Sequence, residues 1–208
     1  KKKKKITCKN LPLLLKNNTK LGEGTYGIVY KSNIYKEYGF KLISMKNKYK
    51  LNNSHPGYIE TLIGKRLSLL VKYNITPHIN IMYDSIKCDL NLIKKLNIDK
   101  QWKDKTEELI KSKKIYKNVK IIVNELADSD LNKYIKNNEL SLNEHINHLF
   151  CFCYTLSCIQ YFTYNYRHND IKPNNILIKY VNCNKNEYNK YIIFGKEFYI
   201  PCLNISIK

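Results

Sequence analysis

The stretch that most constrains this chain is Arg167-His168-Asn169-Asp170-Ile171-Lys172-Pro173-Asn174-Asn175. It is polar, its proline cannot sit inside a helix or a central strand, and its asparagines favour turns. Residues 164–175 are therefore predicted as a loop. What flanks the loop is regular. Upstream, Ser141-Leu142-Asn143-Glu144 has the form of a capping box. It opens a long segment in which Ile146, Leu149, Phe150, Cys153, Leu156 and Ile159 recur at helical spacing. Downstream, Ile176-Leu177-Ile178 reads as a short strand. A helix delivers the chain to the polar loop and a strand carries it away.

A second constraint lies near the start. Leu21-Gly22-Glu23-Gly24-Thr25-Tyr26-Gly27-Ile28-Val29 places three glycines between two strand-like runs. The pattern G-x-G-x-x-G alone is weak, because dinucleotide-binding folds share it, but those need a helix directly after the glycines. Here a strand follows. Tyr38 to Ile43 then alternates, with Tyr38, Phe40 and Leu42 on one face and Gly39, Lys41 and Ile43 on the other. Ser54-His55-Pro56 starts a helix with Ile59, Leu62, Ile63, Leu67, Leu70 and Val71 at 3–4 spacing, ended by Asn74-Ile75-Thr76-Pro77. Residues 79–83 and 119–123 read as strands. Residues 87–118 are highly charged and read as an excursion with some helix. Residues 1–12 read as a basic, disordered stretch.

Residues 166–177 resemble the catalytic loop H-R-D-L-K-P-x-N-I-L of eukaryotic-type serine/threonine protein kinases, and residues 21–29 resemble their phosphate-covering loop G-x-G-x-x-G-x-V. The wording of the catalytic loop looks like kinases of large DNA viruses. The resemblance implies an α+β, two-lobed fold. Residues 13–126 form an antiparallel-sheet N-lobe with one main helix and an insertion near 87–118, and residues 127–208 form a partial helical C-lobe. It implies ATP and Mg2+, with Mn2+ as the alternative ion, and a protein substrate. Asp170 accepts or orients the hydroxyl proton, Lys172 stabilises the transferred phosphoryl group, and Asn175 binds a metal ion. The nucleotide meets Leu21, Gly22, Glu23, Gly24, Thr25, Tyr26, Gly27, Val29, Gly39, Lys41 and Leu177. Glu60, at the edge of the helix stripe, is matched to the glutamate that holds Lys41. Val123-Asn124-Glu125-Leu126-Ala127 is matched to the hinge, with Asn124 as gatekeeper, Glu125 and Ala127 at the adenine edge and Asp130 at the ribose. Asn169 stands where the family has Arg, which implies activity without activation-loop control.

The family also carries Asp-Phe-Gly, whose aspartate binds Mg2+. Ile193-Phe194-Gly195 is a candidate remnant, which would make the chain a non-catalytic pseudokinase or scaffold module. The preferred reading makes residues 179–203 an insertion and residues 204–208 the strand that leads toward Asp-Phe-Gly, so that the chain is a fragment.

The formal charge is +20, from 37 Lys and Arg against 17 Asp and Glu. Only two of the cations are arginines, the lysines are spread along the chain, and Lys, Asn, Ile and Tyr all have AT-rich codons. Nucleic acid is therefore not expected as the main partner. No apolar run reaches membrane-spanning length, so no membrane is expected. The seven cysteines, an odd count with no Cys-x-x-Cys pair, point to a reduced intracellular setting: host cytoplasm, or the virion if the source is viral. His145 and His148 are expected on a surface helix face, and His78 in a structural turn.

Overall fold

The alternation at residues 38–46 builds the centre of the first of two units into which the chain divides, Lys1–Arg66 with Ile81–Leu126 and Leu67–Asn80 with Ala127–Lys208. The computed structural model describes residues 6–24, 27–47, 54–164, 166–184 and 187–208. It is α+β, with antiparallel sheet and several helices. Among the described residues no helix is long and apolar enough to cross a membrane.

The first unit begins with helix α1 (Leu11–Leu14). Strands β1 (Asn18–Gly24), β2 (Gly27–Ser32) and β3 (Tyr38–Lys46) follow, then helix α2 (Pro56–Lys72), which continues into the second unit. Strand β4 (Met82–Asp89), helices α3 (Leu90–Lys94) and α4 (Lys100–Lys111) and strand β5 (Ile115–Glu125) complete it. The sheet order is β1-β2-β3-β5-β4, with each adjacent pair antiparallel. Ile28, Tyr30, Phe40, Leu42, Ile121 and Val123 bury one face of the sheet. The other face carries Ile43, Met82 and Ile122.

Three sequence expectations change here. Residues 6–12 are not a disordered tail: Ile6 and Leu11 are buried against the sheet, while residues 1–5 lie outside the described residues. The charged stretch 87–118 holds the expected helix, as α3 and α4, and joins two paired strands, but it is part of the core rather than a detached excursion. Cys88, Leu90, Ile93, Leu96, Ile98 and Trp102 cover the same sheet face, and the lysines between them point outward. Each such side chain contributes about 1.5–3 kcal/mol when fully buried. The strand expected at 79–83 starts at Met82 and runs to Asp89.

Helix α2 forms where its proline start predicts, and the later part of its expected stripe packs as expected, with Leu70 buried and Leu67 and Val71 beside it; the earlier part does not. Ile59 and Leu62 are exposed, whereas Gly57, Thr61 and Gly64 face the sheet. A methyl group on Gly64 would lie 2.3 Å from Met82 Cε, and one on Gly57 would lie 3.5 Å from Ile43 Cγ2. Small residues let the helix backbone come close.

The second unit contains β6 (Ser129–Asp130), α5 (Leu131–Asn137), α6 (Leu142–Thr163), β7 (Leu177–Tyr180), β8 (Tyr188–Ile193), β9 (Lys196–Pro201) and β10 (Ile205–Ile207). The capping box at Ser141 and Glu144 is present. The buried stripe of α6 is His148, Cys151, Thr155, Cys158 and Ile159, rotated from the predicted one; Ile146, Leu149 and Cys153 are exposed. His148 is therefore buried rather than on a surface face.

Strand β7 pairs with β10 on one side and β6 on the other, so the excursion expected at 179–203 runs over residues 181–204, because Lys179 and Tyr180 are paired within β7. Within it β8 and β9 form a hairpin. Cys183 and Cys202 are disulfide-bonded near its base, and Cys8 is bonded to Cys88 in the first unit. These pairings replace the fully reduced state expected from the cysteine count; Cys151, Cys153 and Cys158 remain thiols.

Tyr191 of β8 anchors the hairpin. Its hydroxyl donates to His78 Nε2 at 2.8 Å and meets Cys151 Sγ at 3.3 Å, while His78 Nδ1 donates to the Ile207 carbonyl at 3.0 Å. Burial lowers the pKa of His78 to about 4, against a weaker raising effect of the Ile207 carbonyl. The unfolded chain binds a proton on this residue near pH 6.5 and the folded chain near 4. Stability is therefore complete above pH 6.5 and falls as the pH drops toward 4, by about 3 kcal/mol from this residue. His55 and His148, whose burial also lowers their pKa, act with the same sign. Denaturant unfolding between pH 7.5 and 4.5 is expected to show this loss. A His78→Gln chain is expected to be less stable at pH 7.5 and to lose less on acidification.

Candidate functional site

In the first unit, the glycine hairpin closes at Gly24 opposite Gly27; Thr25 and Tyr26 lie outside the described residues. The three glycines differ in what requires them. A Cβ on Gly27 would lie 2.2 Å from the Leu42 carbonyl oxygen, so β2 can meet β3 there only without a side chain. At Gly22 and Gly24 a Cβ would meet nothing within 4 Å. Packing inside the chain does not demand those two, and the backbone there is open to approach. Glu23 pairs with Lys20, which also reaches Asp99 at 2.9 Å, a link from β1 to the start of α4 that sequence reasoning missed.

Lys41 lies mid-strand, opposite Val29 of β2 and Ile122 of β5. Phe40 and Leu42 beside it are fully buried, which fixes the strand's rotation and aims Lys41 at the α2 side. Its Nζ meets Glu60 Oε1 at 2.6 Å, with both side chains about a third exposed. A pair this exposed contributes at most about 1 kcal/mol of stability. Its effect is positional: Glu60 holds the lysine extended over the sheet.

Asn124 and Glu125, matched to the hinge, end strand β5. Gly39 pairs with Asn124, and a Cβ on Gly39 would sit 3.7 Å from Leu126 Cδ1. The Glu125 amide donates to the Ile81 carbonyl at 2.7 Å, and the Leu126 amide donates to the Glu37 carbonyl at 2.9 Å. The Glu125 N–H is thus committed within the chain. Ala127 opens the second unit, half-buried. Leu21 is exposed, and Val29 is half-buried. A cavity of about 260 Å³ in this unit is lined by Gly24, Gly27, Ile43, His55, Trp102 and Thr106 among others, but not by Lys41 or Glu60; it shares only the glycine hairpin with the candidate site.

In the second unit, the polar loop is exposed and holds its own shape. Asn169 has φ of +54°, a left-handed conformation that asparagine tolerates better than arginine. The position expected to reflect a lost regulatory contact therefore has a backbone reason as well. Lys172 Nζ reaches Asp170 Oδ1 at 3.0 Å; Asn175 Nδ2 donates to Asp170 Oδ2 at 2.7 Å and to its carbonyl at 2.9 Å. Both carboxylate oxygens are engaged. The Lys172 contact, then the Asn175 contact, holds the Asp170 carboxyl below its ordinary pKa. Leu177, half-buried in β7, pairs with Asp130.

Asp130 has work of its own. Its Oδ1 accepts from the Lys133 amide at 3.0 Å, capping α5, and its Oδ2 lies 3.2 Å from Lys133 Nζ. Burial would raise its pKa, but the Lys133 amide and ammonium bring it below the usual value. The cap accounts for this residue without a ligand.

Ile193-Phe194-Gly195 is not a metal motif in degenerate form. Phe194 and Gly195 have φ of +50° and +75° and make the turn joining β8 to β9, with the Phe194 ring fully exposed. Among the described residues no group of three His, Cys, Asp or Glu side chains is placed to hold a metal ion.

No protein-family model matches the chain. Over 174 residues it is 28% identical to a protein of Acanthamoeba polyphaga mimivirus named "Putative serine/threonine-protein kinase R400". The match takes in 76% of this chain and 37% of that protein, so the chain spans well under half of its relative's length.

The Asp170 contacts predict a titration. In Lys172→Met and in Asn175→Ala the Asp170 carboxyl is expected to titrate higher than in the unaltered chain, moving toward the ordinary aspartate value of about 3.9. Carboxyl-carbon NMR across pH 2–6 reads this directly, and an unmoved midpoint in both variants would contradict the geometry.

Proposed function

We propose that this chain carries the ATP-binding and phosphoryl-transfer groups of a protein serine/threonine kinase. The observation that carries the reading is the Lys41–Glu60 ion pair at 2.6 Å, formed across 19 residues of sequence by the two side chains that the family resemblance matched to each other. The mimivirus protein's name agrees with it. On this reading the first unit is the N-lobe of a two-lobed fold and the second belongs to the helical lobe.

The chemistry follows from the groups described. Lys41, held by Glu60, neutralises phosphate charge, and the open backbone at Gly22 and Gly24 admits the phosphates closely. Asp170, kept ionised, accepts a hydrogen bond from the hydroxyl of a serine or threonine and orients it for attack. Lys172 lies beside that carboxylate, where it can offset the charge of the transferred group. Asn175 uses its amide nitrogen to fix Asp170. Its amide oxygen is the one ligand of this chain that we assign to Mg2+ or Mn2+, which when bound would neutralise charge on the phosphates. A second reading is a kinase-like module that binds nucleotide or partners without transfer.

One experiment separates the readings. The purified chain is incubated with γ-labelled ATP, Mg2+ and a panel of acceptor proteins, and nucleotide binding is measured alongside. Kinase activity predicts phosphoserine or phosphothreonine whose formation falls about 10²–10⁴-fold in Asp170→Ala. ATP binding that depends on Lys41, with no transfer, selects the second reading. Transfer that is indifferent to Asp170→Ala sinks the first.

A further inference from the structure

The same sheet face that presents Lys41 presents a second lysine. In the β3–β5 register, Lys41 pairs with Ile122 and Ile43 pairs with Lys120, so all four side chains lie on one face. Lys120 is buried, at 7% exposure, and its Nζ sits 4.8 Å from the centroid of the Tyr58 ring on α2. Among the described residues no carboxylate forms a salt bridge with it. Burial lowers its pKa, Lys65 and Lys87 push the same way and Asp84 opposes them. The negative face of the ring is what favours the cation there.

The placement on the helix matters. Tyr58 and Glu60 are about 200° apart around α2. They leave it on opposite flanks of the Gly57, Thr61 and Gly64 stripe that meets the sheet. A stripe of small residues allows close approach but offers few knobs to resist rolling about the helix axis. The partly exposed Lys41–Glu60 pair restrains one flank only.

We propose that Lys120, by gripping the Tyr58 ring, is a positioning residue that fixes the rotation of α2 and so brings Glu60 to Lys41. The role for ATP rests on the kinase reading above; the geometric claim does not. If the grip is lost, α2 rolls, Glu60 leaves Lys41, and the lysine is no longer held extended.

The test uses the full chain and reads the ion pair before any nucleotide is added. The Lys41 ammonium signal is assigned in a proton–nitrogen NMR spectrum by its loss in Lys41→Arg, and its free position is defined by Glu60→Gln. In Lys120→Met, which keeps the stem and removes the charge, the signal is expected to move to the free position. It should return in Lys120→Arg. Tyr58→Leu should reproduce the displacement and Tyr58→Phe should not, which keeps the proposal testable should Lys120→Met fail to fold. An unmoved Lys41 signal in Lys120→Met or in Tyr58→Leu overturns the proposal. If the chain binds ATP, Lys120→Met should weaken binding about threefold to thirtyfold. Adding Glu60→Gln to it should then weaken binding less than twofold further. Full additivity of the two substitutions overturns the coupling. A chain that binds no ATP removes the kinase reading while the NMR result still decides the grip.

Discussion

The candidate site of the first unit depends on the rotation of one strand. On β3, Phe40 and Leu42 are fully buried against one layer of the core, and the sheet ladder fixes them opposite Val123 and Ile121. With those two side chains placed, Lys41 has no choice of face. A slip of one residue would bury the lysine and expose two large apolar groups. The core that enforces this is supplied by Ile6, Leu11, Leu14 and Leu15 from before the sheet, and by Leu90, Ile93 and Trp102 from the β4–β5 connection. Segments distant in sequence thus set where Lys41 points.

The loop of the second unit is held differently. From Arg167 to Asn175 its side chains are exposed, and only Tyr166 before them packs against a core cluster among the described residues. Order comes from the ends and from within. Strand β7 leaves the loop and is paired on both edges, by β6 and β10. Inside the loop, Asp170 is tied to Lys172 and Asn175, and the turn at Asn169 takes a left-handed residue. Between β7 and β10 the chain makes a hairpin excursion and still returns to the correct partner. Two devices explain that return: the Cys183–Cys202 bond near the hairpin's base, and Tyr191 buried against His78 and Cys151.

Much of this was legible in the sequence where the signal was local. The capping box at Ser141, the proline start of α2, the alternation around Lys41 and the glycine run all concern residues within one turn or one strand. Their outcomes match because local chemistry decides them. The faces of the helices were less legible. Helix α2 packs by Leu67, Leu70 and Val71 as expected in its later turns, yet in its first turns Gly57, Thr61 and Gly64 meet the sheet, because closeness of backbones outweighed side-chain area there. Helix α6 buries His148, Cys151, Thr155 and Cys158 while Leu149 stays exposed. Small and polar residues with partners score poorly on any hydropathy stripe. The charged stretch after β4 misled for a similar reason: its apolar residues are few, but each is aimed inward. The cysteine pairs at 8 and 88 are separated by 80 residues, and only the fold brings them together.

Ion pairs need care as markers of function in this chain. With 37 lysines and arginines against 17 acidic residues, a carboxylate will meet a lysine almost anywhere. Lys190–Glu197 and Lys94–Glu107 are examples, on exposed surfaces with no sign of a site. What distinguishes Lys41–Glu60 is that neither partner is free to choose. Lys41 is aimed by Phe40 and Leu42, and Glu60 adjoins Thr61, which is buried at the sheet. The pair joins a strand to a helix whose faces are already committed by packing. Asp170 and Lys172 meet within one loop, where proximity in sequence makes contact easy, so their pairing alone says less. There the weight falls on Asn175, which closes the same carboxylate from the other side and leaves it ionised and oriented. On the kinase reading proposed above, a carboxylate held at both oxygens, exposed, and kept from protonation is suited to receive a hydroxyl; an incidental surface pair would need no such second restraint.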